Sequence, residues 1–226
     1  MYKISMKEKI LIVYNIFGKN LFFKKQMNFY EKSLNSIFKQ IENYKDKDIF
    51  RVVVNANCVP DHILYSLKRR FEDKITIFHM PKRFMLPITF NKTCLYAEEY
   101  FNERYKAYQY TTSGVVIPEN LDLYNKVVDK LYSDEYGMIG LQVSCDTGYN
   151  WLGHDFDYEK HIDFSKDYDI PVGCTYNMAC GFFHNSLRDF YGKPLSDVYG
   201  YFNQEQTFSY AVYALRKKFI LLGDSI

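Results

Sequence analysis

Cysteine is scarce in this chain and does not pair by spacing. Cys58, Cys94, Cys145, Cys174 and Cys180 form no CxxC and no zinc-type ligand pattern, and their number is odd. This argues against a disulfide framework or a structural zinc site, and for reduced, mostly buried thiols in a cytoplasmic setting. Charge imbalance is missing too. The 29 Lys+Arg against 27 Asp+Glu leave a net charge of +2, which gives no broad drive towards nucleic acid. Short basic runs at Lys24-Lys25, Lys68-Arg69-Arg70 and Arg216-Lys217-Lys218 fit solvated surface or local phosphate contact. No segment approaches the roughly 20 apolar residues that span a bilayer. The first apolar run is broken by Asn15 and is too short for a signal peptide. The connection after that run has neither GxGxxG nor GxxxxGK[ST], so neither a dinucleotide-dependent oxidoreductase nor a P-loop ATPase is supported.

What the chain does have is core-forming material. Its 226 residues include 22 Tyr and 19 Phe, with 47% hydrophobic residues overall. That is enough for one substantial domain and incompatible with disorder. The aromatic content is also compatible with peripheral membrane contact. Lys9–Phe17 predicts a first strand, and Met27, Tyr30, Leu34, Ile37 and Ile41 recur at the three-and-four spacing of an amphipathic helix over 26–44. Phe50–Asn55 has the continuous β-branched run of a strand buried on both faces. A helix over 61–71 and a strand over 74–78 follow. Pro81 and Pro87 interrupt the next connection before a helix over 92–101, a strand at 107–110, a helix over 120–132 introduced by Pro118, and a strand over 136–143. Residues 148–172 lack periodicity and predict a long irregular excursion. Asn177–Phe183 returns to core composition, a helix spans 206–216, and Lys218–Leu222 closes as a strand. The alternation predicts a single α/β domain with a central, mostly parallel sheet flanked by helices.

Ligands of open α/β sheets sit at the carboxyl ends of strands. Three connections qualify: 14–20, 55–61 and 111–114. In the second, Asn55 and Asn57 can meet a nucleobase or ribose, and can equally cap the helix after Pro60. The third, Thr111-Thr112-Ser113-Gly114, offers hydroxyls to a phosphate but contains no carboxylate. Magnesium and manganese prefer oxygen sites that include carboxylates. Asp155 and Asp157, if locally extended, point the same way and can share a cation, or lie in a solvated loop. Glu205 stands before a helical stripe, where the helix dipole favours an anion; there it can be a first-turn residue or a general base.

Several segments in order carry a resemblance: ILIVYNIFG, RVVVNANCVPD, TFNKTCLYAEEYF with Asn91, AYQYTTSGVVIPENL, NMACGFFHNSLRDFYG and NQEQTFSYAVYALRKKFILL. Together they resemble a glycosyltransferase of the GT-A fold, nearest the inverting family 2 type, over most of the chain. The resemblance implies a nucleotide-binding half (1–118) and an acceptor-side half (119–226). It implies a nucleotide-sugar donor as substrate and a carbohydrate or glycoconjugate acceptor. Donor contacts would come from Asn55, Asn57, Asn91, Thr111, Thr112 and Ser113. Thr111-Thr112-Ser113 occupies the place of the family's Asp-x-Asp motif, and Gln206 the place of its usual base, leaving Glu205 as the carboxylate at hand. Use of Mg or Mn is thereby put in question. A catalytically inactive binding or assembly subunit is the first alternative. Another nucleotide-binding α/β transferase is the second.

Overall fold

A computed structural model describes residues 8–18, 23–141, 166–169, 180–193 and 204–223. Strand β1 (Lys9–Phe17) enters helix α1 (Phe23–Asn43), then come β2 (Phe50–Asn57), α2 (Asp61–Phe71), β3 (Thr76–Met80) and α3 (Leu86–Phe101). The chain continues through β4 (Tyr105–Thr112), α4 (Leu123–Tyr132) and β5 (Tyr136–Leu141). The remaining elements are β6 (Tyr168–Asp169), β7 (Cys180–His184), α5 (Asn185–Tyr191), α6 (Gln204–Ala214) and β8 (Lys218–Leu222). All eight strands join one sheet in the order β3-β2-β1-β4-β7-β5-β8-β6. Strands β1 to β4 are mutually parallel where they pair, β7 runs antiparallel between β4 and β5, and β6 is antiparallel to β8.

Helices cover both faces. Alternate residues of β1 divide between them: Ile10, Ile12, Tyr14 and Ile16 pack with α1, α2 and α4, whereas Leu11 and Val13 pack with α3, α5 and α6. The α1 stripe of Met27, Tyr30, Leu34 and Ile37 is buried as its spacing predicts. Burying each such side chain is worth about 1.5–3 kcal/mol before the entropy of ordering it is subtracted.

Several boundaries differ from the sequence expectation. Helix α3 begins at Leu86, six residues early, because Pro87 lies in its first turn, where a missing N–H costs no helical bond. Pro118 starts a turn, with Leu121 N–H donating to its carbonyl at 3.1 Å, and α4 waits until Leu123. A short 3-10 turn at Glu72–Lys74 delays β3 to Thr76. Strand β4 runs on through Thr112, so two residues of the polar cluster belong to the strand itself. Helix α5 follows β7 without an expectation of its own. The excursion predicted over 148–172 lies outside the described residues except for 166–169.

Candidate functional site

The strand order sets the site. From β1 the chain steps through β2 and β3 on one side, then crosses to β4 on the other. The crevice beyond the carboxyl ends of β1 and β4 is therefore a topological switch point, where α/β sheets take ligands. The three connections singled out in the sequence begin here on neighbouring parallel strands, with Asn15 paired to both Asn55 and Thr112 in register.

On the α3 face, three neutral side chains tie the strand ends to the start of that helix. Asn15 Nδ2 donates to the carbonyls of Val13 and Thr111, each at 3.1 Å. Asn55 Nδ2 donates to Asn15 Oδ1 at 2.7 Å and to Thr89 Oγ1 at 3.0 Å, and Thr89 in turn donates to the Leu86 carbonyl at 3.0 Å. Asn55 Oδ1 and, one turn down α3, Thr93 Oγ1 are buried without a hydrogen-bond partner among the described residues. Asn57 makes a two-way amide contact with Phe84, donating to its carbonyl at 2.8 Å and accepting from its N–H at 3.1 Å. The 81–85 loop is thus pinned to the end of β2. Asn91 is buried in α3.

The strand-end cluster divides between the two faces by the period of a strand. Thr111 is fully buried on the α4 side, its hydroxyl 3.0 Å from Gln109 Nε2 and 3.3 Å from Cys180 Sγ. Gln109 Oε1 accepts from the Tyr124 hydroxyl at 2.8 Å. Burial pushes the Cys180 thiol up to about 11, against the hydrogen bonds from Thr111 and Gln109, so it stays protonated near neutral pH. Thr112 and Ser113 are half-exposed. Val115 N–H closes a turn onto the Thr112 carbonyl at 3.1 Å, leaving Gly114 exposed at the tip with open space around it. That turn is held from the α1 side: Tyr14 donates to the Ser113 carbonyl at 3.4 Å, Ser33 to the Val115 carbonyl, and Ser36 Oγ accepts from Ile117 N–H at 3.0 Å. The turn is thus tied down at three points, with Thr112 and Ser113 half-exposed on it.

The end of β1 needs its glycine. A Cβ on Gly18 would fall 1.7 Å from the Cys58 carbonyl oxygen, because Gly18 N–H reaches the Asn57 carbonyl at 3.1 Å. Cys58 itself is exposed with φ 56°, in the left-handed region. The two strand ends therefore approach each other at main-chain distance.

The donor set of the strand end does not suit a divalent cation, since Thr111, Thr112 and Ser113 supply hydroxyls and no carboxylate. Among the described residues no group of three or more His, Cys, Asp and Glu is placed to hold a metal. Asp155 and Asp157 lie outside the described residues. Glu205 falls in the first turn of α6, and its side chain lies outside the described part. The buried polar residues Asn15, Gln109 and Tyr124 escaped the sequence analysis as site residues. Asn15 and Gln109 had a signal, a polar amide within an otherwise apolar or aromatic strand, which survives burial only when its hydrogen bonds are met. A separate hollow of about 260 Å³ between α1 and α2, lined by Asn35, Phe38, Arg70 and Lys74, lies away from this crevice.

No protein-family model and no curated protein sequence matches the chain. Solved structures do. S. aureus TarS 1-349 in complex with UDP superposes with a TM-score of 0.65 at 11% identity, covering 96% of this chain and 58% of that one. S. aureus TarS 1-349 in complex with UDP-GlcNAc gives 0.60 at 10% identity, over 96% of this chain and 56% of that one. Mannosyltransferase PcManGT from Pyrobaculum calidifontis, in complex with GDP-Man and Mn2+, gives 0.65 at 13% identity, over 97% of this chain and 56% of that one. The likeness establishes a shared fold across nearly all of this chain, which spans little more than half the length of these relatives.

Proposed function

We propose that this protein is a glycosyltransferase that takes a sugar from a nucleotide-sugar donor seated at the β1–β4 switch point and passes it to an acceptor hydroxyl. The observation that carries this reading is the convergence of the Asn15, Asn55 and Thr112 strand ends under the start of α3. The same fold binds UDP, UDP-GlcNAc or GDP-Man in the structures it resembles. Thr112 and Ser113 donate to the donor's diphosphate, and Thr111 braces them from beneath. Asn55, Asn57 and Asn91, buried behind the rim, brace the strand ends, the 81–85 loop and the start of α3 that wall the nucleoside side.

The chemistry is in-line attack of the acceptor oxygen on the anomeric carbon. Its C–O bond forms as the bond to the nucleoside diphosphate breaks, with inversion. Glu205 takes the acceptor's proton, and hydroxyls with cationic side chains receive the charge that develops on the leaving diphosphate. No step runs through a metal at the strand end, because its hydroxyls lack the carboxylate such an ion requires. Asp155 and Asp157 are the carboxylate pair for a cation held elsewhere. Carbohydrate or glycoconjugate is the acceptor class.

Turnover of a nucleotide-sugar panel by the native chain and by Glu205→Gln tests this. The reading expects the rate to collapse while donor affinity stays, which separates chemistry from binding. An unchanged rate removes Glu205 as the base. Gln206 at the usual base position favours a second reading, a catalytically silent donor-binding subunit. Donor binding with no transfer to any acceptor selects it.

A further inference from the structure

Exposed apolar side chains are unevenly divided between the two helical layers. Of the ten large hydrophobic residues exposed among the described residues, only Phe29 and Tyr65 lie on the α1–α2–α4 side. The other eight lie on the α3–α5–α6 side. Leu95, Tyr96 and Tyr100 stand on α3, with Tyr100 70% exposed. Phe190 stands on α5, and Tyr210 and Tyr213 stand one turn apart on α6. Phe84 and Met85 project from the loop that Asn57 pins. Arg188 of α5 clasps Glu98 of α3 through two hydrogen bonds, at 2.9 and 3.3 Å, and α5 contacts α6, so the three helices form one layer, while Tyr96 and Tyr100 stand on the other side of α3, against Phe78 of β3. Scattered exposed apolar residues mean little, whereas a row of them on one face marks an interaction surface.

Charge identifies the partner. Between Asp73 and Glu98 the sequence has no acidic residue, and it places Lys82, Arg83 and Lys92 around the exposed Phe84 and Met85. Lys92 Nζ sits 4.8 Å over the Phe84 ring, and Lys92, Tyr96 and Tyr100 follow one outward stripe at four-residue spacing. Tyrosine and phenylalanine beside cations that meet no acid among the described residues match a membrane interface, where rings settle at headgroup level and cations meet anionic lipid.

We infer that the α3–α5–α6 face, led by the 81–85 loop and the outer stripe of α3, docks on an anionic lipid bilayer. The docking brings the carboxyl-end crevice, which shares the start of α3, close to the membrane surface. A second copy of the chain is the competing occupant. Among the described residues the loop and the outer stripe of α3 set Lys82, Arg83 and Lys92 against one exposed acid, Glu99, so two copies facing each other there would bring like charge together. The inference does not rest on the donor-site reading, since bilayer binding requires no nucleotide sugar.

Co-sedimentation of the full chain with phosphatidylcholine vesicles, with and without phosphatidylglycerol, tests it. The expected result is binding to the anionic vesicles only, weakening as salt rises. Lys82→Ala/Arg83→Ala should weaken it roughly 25-fold, about fivefold per cation. Phe84→Ser/Met85→Ser should weaken it by about tenfold or more, with circular dichroism and the melting temperature unchanged. Lys68→Ala/Arg69→Ala, on the opposite layer, should leave it intact. Absence of binding to anionic vesicles overturns the inference, as does an equal loss from the α2 pair. A concentration-dependent dimer in light scattering that Tyr96→Ser/Tyr100→Ser dissolves gives the face to a second copy instead.

Discussion

At the amino-end edge of the sheet Lys9 and Arg51 close on Glu103, at 2.5 and 2.8 Å. At the carboxyl-end edge Asn15, Asn55 and Thr89 join through neutral hydrogen bonds. The first edge continues in the same manner. Asp134 receives Lys106 at 2.6 Å and lies 2.8 Å from His184 Nε2, Lys217 donates to its carbonyl, and Lys218 pairs with Glu135. Burial alone would raise the Glu103 carboxyl, yet hydrogen bonds from Arg51 and Lys9 hold it below its ordinary value. Charges at that edge are consumed within the protein. The other edge keeps hydroxyls and main-chain groups at a rigid rim, with no carboxylate in its strand-end cluster to repel an anion. One edge secures the sheet, and the other leaves Thr112 and Ser113 half-exposed, where the proposed function puts the donor's phosphates.

The comparison breaks most visibly at Glu98, which receives Arg188 through two hydrogen bonds and also the Tyr108 hydroxyl. Glu98→Ala leaves the largely buried Arg188 guanidinium with only the exposed Asp189 carboxylate, 3.8 Å away, and should lower stability by about 3 kcal/mol in urea unfolding. A loss under ~1 kcal/mol would mean that these paired charges do not secure the fold. Asn55→Ala should cost about 2 kcal/mol, because Asn15 Oδ1 loses its buried donor. Thermal melts that match the native chain would show the amide network to be incidental.

His184 sharpens the same contrast through pH. Burial, with Lys217 and Lys106 nearby, lowers its pKa to about 4 against the pull of Asp134. A histidine depressed from 6.5 is neutral in the folded chain while the unfolded chain takes up a proton. Its contribution is therefore present above pH 6.5 and lost as pH falls towards 4. Discounted for solvent screening, the loss is about 1–2 kcal/mol, and His184→Gln should flatten the stability profile in that window. The smallest structural effect belongs to Thr112→Ala and Ser113→Ala. Both are half-exposed, so stability should move by no more than about 0.5 kcal/mol. A larger loss would make the rim part of the scaffold.

Much of the fold was legible because apolar runs bounded by charge leave few choices. Strands β1 and β8 begin and end where the sequence places them, and so does α2. The start of α3 was hidden by Pro87, which reads as a breaker unless it is known to lie in a first turn. The direction of β7 was hidden for a different reason: CGFFH has the composition of any buried strand, and antiparallel pairing leaves no mark in composition. The site was legible as a place and less so as an arrangement. Thr111–Ser113 stood out, but the extension of β4 decides that Thr111 turns inward. The bonds from Asn55 to Asn15 and Thr89 span 40 and 34 residues of sequence, a distance over which local spacing carries no information.

The central claim is that the β1–β4 rim receives a nucleotide-sugar diphosphate through Thr112 and Ser113. Calorimetric titration of the chain with a panel of nucleoside diphosphates and nucleotide sugars, with and without manganese, tests it most directly when repeated on Thr112→Ala/Ser113→Ala. The account predicts that at least one nucleotide binds the native chain without manganese, and that the double substitution weakens it by about tenfold, the loss of one to two hydrogen bonds to a charged group. No binding by any member of the panel, or equal affinity in the folded double variant, would contradict it.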